Sequence, residues 1–233
     1  MPWGGMTTPG RRTILVRTVA GALLAAVVCL SAGPAGSLAA LKAGTGFFLG
    51  GEGRLVTAAH LVSGCAAVQV VPEDGAVLEA ELLSADAARD FAVLRVGGVA
   101  PASAALARGL PGSDATLTAV GYPDAAKGGR LATLPLAAVT LPIPRPDDRL
   151  PLRGAVARAG MSGAPIVDVA GRVVAMLLGR GDPAAPGATE LAQRLGFPVA
   201  EVAITLPAAW LPEPGPTAAP AAVTVARVWC LAG

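Results

Sequence analysis

The sequence predicts an all-β protein made of two antiparallel β-barrels, and three observations carry that reading. Short runs with β-branched residues recur at close spacing from residue 46 to residue 178, Gly, Pro and Asp break them, and no internal repeat or heptad is visible. Closely spaced short strands with turn signals fit a sandwich or barrel rather than βαβ units. Strand 46–49 opens between Gly44 and Gly50, and 54–57 resumes after Gly51-Glu-Gly53. Segment 67–71 stops at Pro72, 77–83 follows the Asp74-Gly75 turn, and the apolar run 91–96 ends at Gly97-Gly98. Residues 97–113, rich in Ala, Gly and Pro, carry fewer strand signals and connect the two halves. Beyond them, 115–120 ends at Gly121, 131–140 and 153–157 follow, 166–169 resumes after Pro165, and 173–178 ends at Gly179. The barrels therefore span about 43–97 and about 114–210, with 211–233 left as a C-terminal tail that starts in a Pro-rich surface loop.

With 233 residues, 53% hydrophobic and 15% charged, the chain is long enough for one or two compact cores and too patterned to be disordered. Arg11, Arg12 and Arg17 precede the apolar run 18–30 and a small-residue segment, 31–40. A charged start, an apolar stretch of about 7–15 residues and small residues at a cleavage point describe a secretory signal, whereas a spanning helix needs about 20 apolar residues. Residues 1–39 are thus expected to be a signal peptide, with cleavage after Ala35, Ala39 or Ala40, and 40–233 the mature domain. The arginine pair also resembles a twin-arginine export signal. Export to the periplasm or beyond is expected, with no stable membrane span after cleavage. Losing those three arginines takes the net charge from +2 to −1, so charge gives no support for a nucleic-acid partner. Cys65 and Cys230 survive cleavage; in an oxidising compartment they either form a bridge or stay separate buried thiols.

His60 is the only histidine, at the close of Arg54-Leu-Val-Thr-Ala-Ala-His60. Imidazole is the one side chain that ordinarily changes charge between about pH 5 and 8, which confines any neutral-pH proton shuttle to this position. Downstream, Gly160-Met-Ser-Gly-Ala-Pro165 sets Ser162 in a glycine-flanked turn whose Gly160 and Ser162 N–H groups can converge on an oxyanion. Asp90, leading into Phe91-Ala-Val-Leu94, supplies a carboxylate to fix the imidazole; Asp86 is its rival. Gly44-Thr-Gly46 lacks the rest of a nucleotide loop and reads as a glycine-permitted barrel strand. No cofactor and no metal site is expected.

The order His60, Asp90, Ser162 is that of the chymotrypsin barrels, distinct from the Ser-Asp-His and Asp-His-Ser orders of two other folds. At these residues the chain resembles the trypsin-like serine proteases. Within them it looks most like the bacterial exported Deg-type branch, through Gly44-Thr-Gly-Phe-Phe-Leu-Gly50, Thr57-Ala-Ala-His60, Asp90-Phe-Ala-Val-Leu94 and Gly160-Met-Ser-Gly-Ala-Pro165. The resemblance runs from about Gly44 to Gly179. It implies a trypsin-like double barrel with the active site in the cleft between barrels, His60 and Asp90 on the first and Ser162 on the second.

The chain departs from that pattern in two places. Met161 stands where trypsins place an aspartate that pairs with a newly cut N-terminus, so activation by that ion pair is not expected. Ala164 replaces a glycine, and its methyl group is expected to crowd the turn. By the family's spacing, Val156 falls at the base of the specificity pocket and Met176, Leu177 and Leu178 along its wall. None is charged, so small or medium aliphatic side chains, not basic ones, are expected before the cut. The expected function is an exported serine endopeptidase acting on protein or peptide substrates through an acyl-enzyme. The alternatives are a catalytically weak protein that binds unfolded or partner proteins, and an esterase with the same triad.

Overall fold

A computed structural model describes residues 40–98, 102–112, 115–138, 150–154, 158–181, 183–184, 188–195, 198–213, 218–219 and 225–232. The proposed signal, 1–39, and Val156 lie outside them. Along the chain run β1 (Ala40–Phe48), β2 (Arg54–Thr57), the short helix α1 (Ala59–Val62), β3 (Ala67–Pro72), β4 (Leu78–Asp86) and β5 (Phe91–Val96). The connection contributes β6 (Ser103–Ala104). Then come β7 (Thr116–Gly121), β8 (Ala132–Ala138), β9 (Leu150–Gly154), β10 (Pro165–Val167), β11 (Val173–Arg180), helix α2 (Ala188–Leu195), β12 (Val202–Pro207), β13 (Ala218–Ala219) and β14 (Val225–Leu231).

The strands close into two six-stranded barrels, and all their neighbouring pairs are antiparallel; β6 and β13 form a small parallel pair. This is the trypsin-like double-barrel fold. Closure removes sheet edges, and the alternation of strand side chains sends one set inward. Leu117, Leu136, Leu152, Met161, Ile166 and Leu177 fill the second barrel. Phe47, Leu55, Val70 and Leu94 fill the first, in a cluster that continues through Met176 and Leu206 of the second, so the two barrels share packing.

The second barrel runs in the order β7-β8-β9-β12-β11-β10, and the first in the order β14-β1-β2-β5-β4-β3. Counted within each barrel the orders are identical, provided β14 is taken as the first strand of the first barrel. The first barrel is therefore a circular permutation of the second, its opening strand supplied from beyond the second barrel. This corrects the expectation of a C-terminal tail at 211–233: Val225–Leu231 is wedged between β1 and β3, with Val228, Cys230 and Leu231 buried. Its alternating Val-Ala-Arg-Val-Trp-Cys-Leu pattern is strand-like, and only its distance along the sequence from its partners hid its place. Cys65, just past α1, forms a disulfide with Cys230 (S–S 2.03 Å, Cα–Cα 5.3 Å) and ties β14 to the helix that carries His60.

Candidate active site

The strand β2 closes at Thr57, and His60 falls in a four-residue helical turn rather than at a strand end. Asp90 precedes β5 in a left-handed backbone conformation (φ 58°) that Asp tolerates better than bulky residues do. That kink returns the carboxylate to α1. Oδ2 lies 2.8 Å from His60 Nδ1, Oδ1 accepts the His60 backbone N–H at 2.9 Å, and the Asp90 carbonyl accepts the Ala59 N–H at 3.3 Å. A carboxylate facing Nδ1 fixes the tautomer with its proton there and leaves the Nε2 lone pair free as a base. The histidine side chain is 46% exposed and the aspartate 24%. Asp86 is turned elsewhere: it accepts the Arg89 backbone N–H at 2.9 Å and Arg89 Nη1 at 2.8 Å, and that guanidinium lies 4.2 Å over the Trp210 ring. These bonds, the backbone one foremost, hold the Asp86 carboxyl below its ordinary value.

Ser162 leaves the turn Arg158–Met161, which the Met161 N–H closes onto the Arg158 carbonyl at 3.0 Å. Gly160, third in that turn, has φ 89°, as a type II turn demands. A methyl there would run into the Tyr122 carbonyl and approach Ala125 N to 2.6 Å. The backbone N–H groups of Gly160 and Ser162 donate to no acceptor among the described residues, so both stay available to a developing oxyanion. The Ser162 hydroxyl itself donates to the Leu178 carbonyl at 3.0 Å.

The two barrels converge on β1. A methyl on Gly44 would overlap Leu61, the neighbour of His60, and stand 2.9 Å from the Ser162 carbonyl, which brings α1 and the serine turn together over one glycine. Thr45, fully buried, donates its N–H to that carbonyl at 2.9 Å and its hydroxyl to the Gly160 carbonyl at 2.8 Å, while the hydroxyl accepts the Tyr122 N–H at 3.0 Å. Thr57 Oγ1 braces the Thr45 carbonyl at 2.7 Å. Lys42 Nζ donates to the carbonyls of His60 (2.9 Å) and Ser63 (2.6 Å) and so caps α1 from β1. Sequence reading missed Thr45, Thr57 and Lys42; the one signal was the Gly-Thr-Gly spacing, whose glycines mark close backbone approach.

Met161 is fully buried in the second barrel's core, and no charge stands in its place. Ala164 is also fully buried, against Gly121, where an added methyl would lie 2.9 Å from the Ala164 Cβ. The expected crowding is thus relieved by a glycine on β7. Met176 (0% exposed) and Leu177 (1%) are consumed by the cores, and of the expected pocket wall Leu178 (8%) keeps the most surface.

The family model for the trypsin-like peptidase domain matches residues 44–176, more than half of the chain. The chain belongs to that family. This peptidase domain is 29% identical over 145 residues to the putative serine protease HhoB of Synechocystis, covering 56% of this chain and 33% of that protein. It is 45% identical over 53 residues to a probable periplasmic DegP-like serine endoprotease of Rhizobium meliloti, covering 23% of this chain and 10% of that one. Among solved structures, the active form of the Rv3671c protease of M. tuberculosis superposes with a TM-score of 0.57 at 25% identity, covering 76% of this peptidase domain's chain and 78% of its own. The chain spans at most about a third of the length of the curated relatives it matches.

Proposed function

We propose that this chain is an exported serine endopeptidase. The observation that carries it is the two-point grip of Asp90 on His60, 2.8 Å at Nδ1 and 2.9 Å at the backbone N–H, in a fold that also holds a serine whose turn leaves two amides free among the described residues. On substrate arrival the Ser162 hydroxyl leaves the Leu178 carbonyl and turns to His60 Nε2. Its oxygen bonds to the peptide carbonyl carbon while its proton passes to Nε2, and the Gly160 and Ser162 amides hold the oxyanion. The C–N bond then breaks, the proton goes to the leaving amine, and water attacks the acyl-enzyme with His60 again as base. Because Met161 is buried among apolar side chains, no liberated amine is needed to order this turn. Export rests on the apolar signal in residues 1–39 and on the Cys65–Cys230 bridge, which requires an oxidising compartment.

A fluorophosphonate label mapped by peptide mass tests the assignment. It should modify Ser162 alone, and Ser162→Ala should lose casein cleavage by a factor on the order of 10⁶. An unlabelled Ser162, or turnover retained by the variant, refutes the reading.

A further inference from the structure

Beyond Met176, which pairs with Pro165, no strand among the described residues pairs with β11 on its β10 side. On the other side it is held by β12, through Leu177 with Thr205, Gly179 with Ile204 and Arg180 with Ala203. The open stretch begins at Leu178, whose carbonyl receives the Ser162 hydroxyl, so it starts at the nucleophile. A methyl on Gly179 would meet nothing within 4 Å. Paired residues on adjacent strands share a face. Ala203, opposite Arg180, is packed in the second barrel's core at 3% exposed. Arg180 is therefore on the inner face at that barrel's mouth, and since it is exposed, its charge stands over the mouth rather than in it.

No carboxylate among the described residues pairs with Arg180, or with exposed Arg158 at the start of the serine turn. Glu201 is taken by Arg153 at 3.6 Å and Asp90 by His60; Asp124 borders the turn, its N–H on the Ala159 carbonyl. Since His60 must protonate the leaving amine, the leaving side of a substrate points to the first barrel, and its acyl side lies over β11. We propose that Arg180 is a specificity-determining residue, which draws an acidic side chain of the substrate to the acyl side of the cut. This deepens the peptidase reading and rests on it. It replaces the expectation of a purely aliphatic preference, because Met176 and Leu177 are spent in the cores.

Internally quenched peptides carrying Glu, Leu or Lys at each of the three positions before the cut, with the full chain as enzyme, test this. At one position Glu should exceed Lys in kcat/KM by at least about fivefold at low salt, and less at 0.5 M NaCl. Arg180→Gln should level that ratio, Arg180→Glu invert it and Arg180→Lys retain it. The same order should appear in binding of the peptides to the full-length Ser162→Ala protein, measured by anisotropy, which needs no catalysis. A Glu-to-Lys ratio that Arg180→Gln leaves unchanged, in cleavage or in binding, overturns the proposal while leaving the label on Ser162. Absence of that label overturns the peptidase reading and this inference with it, whatever the peptides do.

Discussion

Asp90 does three jobs with one residue: its left-handed backbone turns the chain into β5, its carbonyl holds Ala59, and its two carboxylate oxygens hold His60 at ring and backbone. Asp90→Asn keeps the shape and one acceptor but places an amide against Nδ1, so the ring settles in the wrong tautomer. The expected loss in kcat is on the order of 10⁴-fold with little change in melting temperature, read from initial rates and a thermal scan. These residues were legible because the chemistry restricts them by type and order: one histidine exists, and His-Asp-Ser belongs to one kind of fold. Asp90 is preferred to Asp86 because it leads directly into the apolar run Phe91–Leu94, and the structure adds that Asp86 is spent on Arg89. Lys42 and Arg180 were invisible, because an exposed cation on a strand has no sequence mark that separates a solvated charge from one aimed at a carbonyl or a substrate.

At the scale of elements, β1 is the part on which both barrels register. Thr45→Val removes a hydroxyl that satisfies the Tyr122 N–H and holds the Gly160 carbonyl, stranding two polar groups. It should cost about 1–3 kcal/mol in chemical denaturation. It should also lower kcat by up to about 100-fold through a misplaced oxyanion turn, whereas Thr45→Ser restores both. The β4–β5 connection depends on Asp86 in a pH-dependent way. Its carboxyl titrates lower in the folded protein than a carboxylate ordinarily does, so its contribution is full above the ordinary value and is lost as pH falls through the folded value. Denaturation midpoints for the protein and for Asp86→Asn should therefore differ at pH 6 and converge on acidification to pH 2. Most strands were readable from β-branched runs between Gly and Pro. The expected 46–49 begins at Ala40 instead, and the expected 77–83 continues to Asp86. The helix α2 and the strand β12 were not among the expected elements, although Val202-Ala-Ile-Thr-Leu206 is rich in β-branched residues and Leu191 and Leu195 stand one helical turn apart.

For the whole molecule, the bond between Cys65 and Cys230 spans 165 residues and encloses the entire second barrel. In the loop-entropy account a closure of that length stabilises by about 5 kcal/mol. Cys65→Ser with Cys230→Ser should lower the guanidinium midpoint accordingly and make it indifferent to reductant. The barrel count was legible from the sequence, but not which strand closes the first, since pairing across such a separation leaves no local trace. That permutation also sets a clock. A chain emerging from its amino end delivers His60 and Asp90 first, yet their barrel stays open between β1 and β3 until all of β7 to β12 has followed. A half-emerged chain thus carries His60 and Asp90 in an unfinished barrel, which is complete only when the last strand arrives. Leu231 lies opposite Ala40, so a short hairpin could join the end of β14 to the start of β1 and turn this order around. Such a rearranged chain would keep every contact and lose only the delay.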